Sequence, residues 1–145
     1  MGASSSVSTL YDKTYISYSK DDVNAELLQE ELVNSGYKIK NAYFLKECNY
    51  AIGEYQEIVK NIMVQSKNIL ICVSEKTKTS FRQAIEINIA LDSNINIIYA
   101  FTDENFTPIN TPYLNGLVNN HLWLSAFDET TMFASIETLE SYKIL

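Results

Sequence analysis

One segment of the sequence, residues 80–86, combines an arginine, a glutamine and a glutamate in a pattern that can support chemistry. Arg82 precedes Glu86 by one helical turn, and such a pair can hold the carboxylate ionised at neutral pH. An ionised carboxylate in a water-poor cleft stabilises positive charge that develops in a transition state. The alternative is a solvated ion pair that contributes about 0.2–0.5 kcal/mol to the helix. Glu86 is the only acid on the helix predicted for this segment, so we take it as the candidate catalytic residue.

The other reactive residue types suggest no second site. His121 is the only histidine, and without a neighbouring cysteine or second histidine it forms no base–nucleophile pair, so we expect it at a strand edge. Cys48 and Cys72 lack the spacing of a zinc site or a disulfide scaffold, and we expect reduced thiols and no bound metal. Trp123 is expected to lie in the core, as large aromatic residues usually do.

The hydrophobic pattern alternates between strands and helices along the chain. The predicted strands are residues 14–19, 37–40, 68–74, 94–101 and 121–124. The predicted helices are residues 21–34, with Val23, Leu27, Leu28 and Leu32 on the buried face, residues 54–66, residues 80–91, and a last helix that buries Met132, Phe133, Ile136 and Leu139. The uninterrupted apolar run in the third strand predicts a central position, buried on both faces.

This alternation predicts right-handed βαβ units and a parallel sheet that is covered on both faces. We expect an α/β fold, a flavodoxin-like three-layer sandwich with five strands in the order 2-1-3-4-5. In such sheets ligands bind beyond the carboxyl ends of the strands, where the strand order switches, which is between the first and third strands. The loop after Ser19 and the start of the helix that carries Glu86 would face this crevice.

Size and charge narrow the classes of function. The chain of 145 residues has the size of one domain, which we place at residues 13–145 after a flexible leader, residues 1–12. A net charge of −7 argues against a nucleic-acid or anionic-membrane surface. No apolar stretch has the length of a membrane span or a signal peptide, so we expect a cytoplasmic protein. The first six residues match an N-myristoylation pattern with Gly2 as the acceptor, and the alternative is a Ser-rich leader without a lipid.

The run Tyr15-Ile16-Ser17-Tyr18-Ser19, followed by acidic residues, resembles the opening strand of TIR domains. The resemblance continues to about residue 140, through Gly36-Tyr37, Gly53, Ser66 and Val73-Ser74. It implies a flavodoxin-like domain that either assembles signalling complexes or cleaves NAD. TIR enzymes resemble one another in a helix glutamate within Ser-x-Trp-Cys-x-x-Glu. Ser80 and Glu86 keep that spacing, whereas Arg82 and Gln83 stand in place of the Trp and the Cys.

By this resemblance the chain looks like a NAD-cleaving TIR protein of immune or antiviral defence, with Glu86 as the catalytic residue. Nicotinamide leaves NAD as a neutral molecule, so cleavage needs stabilisation of the oxocarbenium-like ribose and no general acid. The product would be ADP-ribose or a cyclic isomer that serves as an immune signal. NAD is then the substrate, no cofactor is expected, and the expected partners are other TIR domains, because TIR active sites often form on association.

The resemblance also places candidate substrate contacts around the crevice. Ser17, Tyr18, Ser19 and Lys20 can supply hydrogen bonds and a cation to the pyrophosphate, with Arg82 beside them, and Phe44 or Tyr43 can stack on a ring of NAD. The alternative is that the serine and the lysine only form a turn. For Tyr43 and Phe44 we favour the alternative that both anchor the loop in the core.

Two other functions remain open at this level. A non-enzymatic TIR domain would act by associating with other TIR domains, and nothing in one sequence excludes it. A nucleoside deoxyribosyltransferase also uses a helix glutamate and attacks the same kind of glycosidic bond. A phosphoacceptor receiver is disfavoured, because the third strand ends in Val73-Ser74 and not in an aspartate.

Overall fold

Five strands alternate with four α-helices in residues 11–45, 49–106 and 121–145, the parts of the chain that the computed structural model describes. The strands are β1 (Thr14–Ser17), β2 (Ile39–Lys40), β3 (Asn68–Val73), β4 (Asn96–Phe101) and β5 (Leu122–Ser125). The helices are α1 (Val23–Asn34), α2 (Ile52–Met63), α3 (Phe81–Asp92) and α4 (Glu129–Ser141), with a short 3-10 helix at Glu75–Thr79 before α3. Gly2 and Cys48 lie outside the described residues.

All neighbouring strands are parallel, and their order is β2-β1-β3-β4-β5. This confirms the predicted flavodoxin-like α/β sandwich and its 2-1-3-4-5 order. β1 pairs with β3 so that Tyr15 lies opposite Ile69 and Ser17 opposite Ile71. The order of the strands therefore switches between β1 and β3, where the sequence predicts the crevice.

The sheet separates two apolar cores, and β1 contributes to both. All six residues of β3 are buried, as expected for a central strand. Tyr15 packs with residues of α2 and α3 on one face, whereas Ile16 packs with residues of α1 and α4 on the other. Because successive strand residues point to opposite faces, Ser17 lies on the same face as Tyr15.

Ser80 caps the N-terminus of helix α3. The Ser80 hydroxyl accepts a hydrogen bond from the backbone N–H of Gln83 at 3.1 Å, as serine does at many helix N-termini. This start turns one polar stripe inward, and Arg82, Gln83 and Glu86 are all buried. The helix extends to the exposed Asp92, so Glu86 is not its only acid, and that expectation was wrong.

Two of the predicted buried faces need correction. In α1 the buried residues are Ala25, Leu28 and Leu32, whereas Val23 and Leu27 are exposed. In α4 Phe133 is exposed, and Ser135 takes a buried position, where its hydroxyl donates to the carbonyl of Ser125. Each helix buries a stripe at helical spacing, such as Ala25, Leu28 and Leu32 at i, i+3 and i+7, and Leu27 and Phe133 lie to one side of it, so an apolar pattern alone overstated the width of the buried stripe.

Strand and helix ends differ from the predictions by a few residues. β2 is shorter than predicted, because the backbone N–H of Tyr37 still bonds to the Leu32 carbonyl and closes α1 through Gly36, which has a φ of 96°. A positive φ is natural for glycine at the end of a helix. None of the helices in the described residues is long and apolar enough to cross a membrane.

Candidate active site

The carboxylate of Glu86 lies against β1 at the switch in strand order. The Tyr15 hydroxyl donates a hydrogen bond to Oε2 of Glu86, and the Ser17 hydroxyl donates to Oε1 at 3.2 Å. Glu86 is 2% exposed. A charged group at this depth requires polar partners, and the two hydroxyls supply them. Sequence reasoning missed the role of Tyr15, although the alternation within β1 places it on the same face as Ser17.

Tyr15 acts as the donor of its pair. Burial raises the pKa of the Tyr15 hydroxyl, and the charge of Glu86 and the hydrogen bond to it raise that pKa further. The phenol therefore stays protonated at physiological pH and presents an O–H to the carboxylate.

Arg82 joins α3 to the loop that follows β2. Its Nη2 donates to the carbonyls of Ala42 at 2.7 Å and Leu45 at 2.9 Å, and its Nε donates to the Tyr55 hydroxyl. The guanidinium carbon also lies 4.4 Å from the centre of the Tyr43 ring, within the range of a cation–π contact. Since both Arg82 and Glu86 are buried, the alternative of a solvated surface pair is wrong; an ion pair between them stays a prediction.

Gln83, the other departure from the usual TIR pattern, donates hydrogen bonds to two neighbouring strands at the site. It is fully buried, and its Nε2 donates to the carbonyls of Cys72 at 2.6 Å and Ser17 at 3.3 Å. These carbonyls lie at the ends of β3 and β1, so one amide holds both sides of the switch point. A buried amide in this position has a structural role beside the glutamate.

A cavity of about 320 Å³ opens beside the start of α3. It is lined by Lys20, Tyr43, Ser80, Phe81 and Arg82. The structure thus brings three of the candidate substrate contacts, Lys20, Tyr43 and Arg82, to one cavity. Phe81 was missed by sequence reasoning; its position as the first residue of α3, directly after the capping serine, is the signal that places it at the mouth of the crevice.

The remaining predicted contacts lie around this cavity in different environments. Tyr18 and Ser19 are buried, Tyr18 stacks on Tyr43 with ring centres 4.7 Å apart, and burial raises the pKa of Tyr18 to about 12. Tyr43 packs against the core, as expected, whereas Phe44 is 70% exposed, so the expectation that Phe44 anchors the loop is wrong. Ala42 and Leu45 are buried anchors beside Tyr43, and Phe44 points outward to solvent.

A comparison with known protein families finds one matching model, described as the TIR-like domain of the Thoeris protein ThsB, over residues 14–105. That is more than half of the chain. The protein belongs to this TIR-like domain family. The matched residues extend from β1 through β4 and include Tyr15, Ser17, Arg82, Gln83 and Glu86. No curated protein matches the chain at a significant level.

The TIR-like domain has a second cavity at the carboxyl end of the sheet, with a volume of about 270 Å³. Its lining is mainly acidic, whereas a site for phosphate needs positive charge. Its lining includes Asp21, Asp22, Glu75, Asp103 and Glu104, with Lys76 as the one cation among the described lining residues. The Asp22 carboxylate already accepts hydrogen bonds within the domain: it caps α1 and accepts from the Thr102 hydroxyl at 2.6 Å. Carboxylates repel a pyrophosphate, so the cavity beside Arg82 is the better candidate.

The aromatic residues of the fifth strand belong to the core of the TIR-like domain. Trp123 stacks on Tyr99 at 4.5 Å and contacts Phe101 at 4.4 Å, which confirms its predicted place. His121 directly precedes the edge strand β5 and lies 5.6 Å from the Tyr99 ring. The described residues contain no group of His, Cys, Asp and Glu side chains arranged to hold a metal ion.

Proposed function

We propose that this TIR-like defence module cleaves the bond between nicotinamide and ribose in NAD, with Glu86 as the catalytic residue. The observation that carries the proposal is the Glu86 carboxylate, which is buried at the switch point and bonded by one hydroxyl at each oxygen. An acid is rarely buried without a function or a charged partner. The family model includes this residue in its match.

The chemistry asks for charge stabilisation in a site that water does not fill. As nicotinamide leaves, the ribose gains positive charge, and a carboxylate near its hydroxyls lowers the energy of that state. In this scheme the Glu86 carboxylate, held by the Tyr15 and Ser17 hydroxyls, is the acidic group that faces the ribose hydroxyls.

The cavity beside Arg82 has the groups that the rest of NAD would need. Lys20 is exposed and can attract the pyrophosphate, and the exposed rings of Phe44 and Phe81 can stack on nicotinamide or adenine. NAD is the substrate in this scheme: nicotinamide leaves with the electron pair of the C–N bond, and C1′ of the ribose then bonds either to a water oxygen, which gives ADP-ribose and a proton, or to a nucleophilic atom of the same molecule, which gives a cyclic isomer.

Substrate can reach Glu86 only after a local rearrangement. Glu86 is 2% exposed and is not among the residues that line the cavity, whereas Arg82, one turn before it, and Tyr43, whose pKa the charge of Glu86 helps to raise, do line it. Arg82 holds the loop through the Ala42 and Leu45 carbonyls, so moving that loop means breaking these bonds. Association with a second TIR domain would supply the free energy for such a change, and activity should then rise steeply with protein concentration.

The decisive experiment compares three proteins for nicotinamide release from NAD: wild type, Glu86→Gln and Asp92→Asn. Asp92 is an exposed acid on the same helix, so its variant matches the change in charge without touching the site. We expect wild-type release, a loss of about 100-fold or more in Glu86→Gln, and no change in Asp92→Asn. The mass of the product separates ADP-ribose from a cyclic isomer.

Background release by all three proteins, measured over a wide range of concentrations, would contradict NAD cleavage. The non-enzymatic alternative would then be preferred, and one observation favours it. Leu27 on α1 and Phe133 on α4 are exposed apolar residues that line a cavity of about 250 Å³, which offers a contact surface for another domain.

A parallel incubation with a deoxynucleoside and a free base tests the deoxyribosyltransferase alternative.

A further inference from the structure

Two alternate residues of β1 hold the two oxygens of one carboxylate. Tyr15 donates to Oε2 of Glu86, and Ser17 donates to Oε1. With a donor fixed on each oxygen, the plane of the carboxylate is set by the strand and no longer by the rotation of the glutamate side chain alone.

The donors are themselves held in place. Tyr15 and Ser17 are both fully buried in β1, and each pairs with a residue of the central strand β3. The carbonyl of Ser17 also accepts from Gln83 Nε2 at 3.3 Å, one turn before Glu86 on α3. Donors fixed by the scaffold need no reorganisation when charge changes in the site, which is the arrangement that makes electrostatic stabilisation effective.

Neutral tyrosines surround the Glu86 carboxylate. Tyr15 from β1, Tyr18 directly after β1 and Tyr43 from the loop after β2 lie close enough for the charge of Glu86 to raise their pKa values. Arg82 lies one turn before Glu86 on α3, and Tyr55 from α2 lies beside Tyr15 and Arg82. Burial raises the pKa of Tyr15, Tyr18 and Tyr43, so these phenols remain neutral. Hydroxyl donors stabilise a carboxylate more than a protonated carboxyl group.

We propose that Tyr15 and Ser17 are positioning residues that hold the Glu86 carboxylate in one orientation, toward the ribose of the substrate. This inference rests on the proposed cleavage of NAD. Neither residue touches the reacting bond; both act through Glu86. Their loss should therefore lower kcat and shift the acid side of the pH profile, while binding of the distant parts of NAD stays the same.

The test uses Tyr15→Phe and Ser17→Ala with a matched control for each. Tyr99→Phe removes the hydroxyl of another fully buried tyrosine of the same core, one whose hydroxyl has no hydrogen-bond partner in the described residues. Ser135→Ala removes a buried hydroxyl that donates to the Ser125 carbonyl, in the core on the opposite face of the sheet. Both controls lose a buried hydroxyl without altering Glu86.

We expect kcat of Tyr15→Phe to fall about 10- to 100-fold with KM nearly unchanged, because hydrogen bonds to charged groups are the strong ones. The acid side of the pH profile of kcat should also move to higher pH, since hydroxyl donors favour the charged form of a carboxyl group. The kcat of Ser17→Ala should fall about three- to tenfold, because the hydrogen bond from the Ser17 hydroxyl to Glu86 is 3.2 Å, which is long for an O–H donor. Tyr15→Phe combined with Glu86→Gln should be no less active than Glu86→Gln alone.

The outcomes separate the two proposals. If wild type cleaves NAD and Tyr15→Phe equals Tyr99→Phe in kcat and in pH profile, the positioning role is refuted while the function stands. If wild type and Glu86→Gln release nicotinamide equally, the proposed function is refuted and the positioning role falls with it. Thermal unfolding is measured for each variant, and if Tyr15→Phe does not fold, Ser17→Ala against Ser135→Ala decides by the same criteria.

Discussion

The guanidinium of Arg82 donates to the carbonyl of Ala42 at 2.7 Å, and this bond joins the helix of the candidate catalytic residue to the loop after β2. The same side chain binds Leu45 and Tyr55, so one arginine connects α3, the loop and α2. Arginine suits this role because its planar fork can donate in several directions at once. Arg82, one of the two residues that depart from the usual TIR pattern, thus determines how the loop lies over the site.

Replacing Arg82 should destabilise the domain and loosen that loop. Arg82→Ala removes the guanidinium donor of the buried Leu45 carbonyl and one of the two donors of the Ala42 carbonyl, which the Leu45 N–H also contacts, and this should lower the free energy of unfolding by about 2–4 kcal/mol. Arg82→Lys keeps the charge but not the fork, and it should lose nearly as much. Urea unfolding measures the stability, and hydrogen exchange at the Leu45 amide measures the loop.

The control for this experiment is Lys60→Ala, which removes an exposed cation from α2 and should change stability by less than about 0.5 kcal/mol. Equal urea midpoints for Arg82→Ala and Lys60→Ala, together with unchanged exchange at Leu45, would show that the arginine does not hold the loop.

The cap of the last helix should make part of the stability dependent on pH. Asp128 accepts from the Thr131 backbone N–H at 2.8 Å, and hydrogen bonds from Thr131 hold the pKa of Asp128 below its usual value of 3.8. A carboxylate with a lowered pKa stabilises the folded state above its unfolded pKa, and that contribution disappears as the pH falls through the folded value.

The measurement compares wild type with Asp128→Ala by urea unfolding at neutral pH and near pH 3. The difference in unfolding free energy should be clear at neutral pH, because the cap is ionised and bonded, and it should shrink in acid. Asp92→Asn, at the opposite end of a different helix and on the surface, is the control. A difference that stays constant across this range would mean that the charge of Asp128 contributes nothing to the cap.

The sequence was sufficient for the fold because each element carries its own pattern. The six buried residues of β3 form an uninterrupted apolar run, and Ser80 marks the start of α3. Glu86 was identified in the same way, as an acid within an apolar helix that resembles a family motif. These signals are local, so no knowledge of the tertiary structure was needed.

The rest of the site depends on contacts between distant segments. The bond from Tyr15 to Glu86 joins residues 71 positions apart, and it follows only once β1 is known to lie beside β3 with α3 across that face. The contacts of Arg82 with Ala42 and Leu45 depend on the path of an irregular loop, for which residue types give no periodic signal. The exposure of Phe44 could not be predicted for the same reason, because it depends on the path of that loop.

Lys20 provides the last prediction, a test of the cavity as the place where the pyrophosphate binds. Lys20 is exposed at the cavity beside Arg82, so its ammonium can attract a phosphate without contacting the reacting bond. Lys20→Ala should therefore raise KM for NAD about three- to tenfold and leave kcat nearly unchanged, the pattern of an interaction made equally in the ground state and the transition state. The effect should diminish as salt screens the charge. Lys60→Ala removes an exposed lysine on α2 instead, and if it raises KM as much as Lys20→Ala does, the effect comes from net charge and the pyrophosphate does not bind at Lys20.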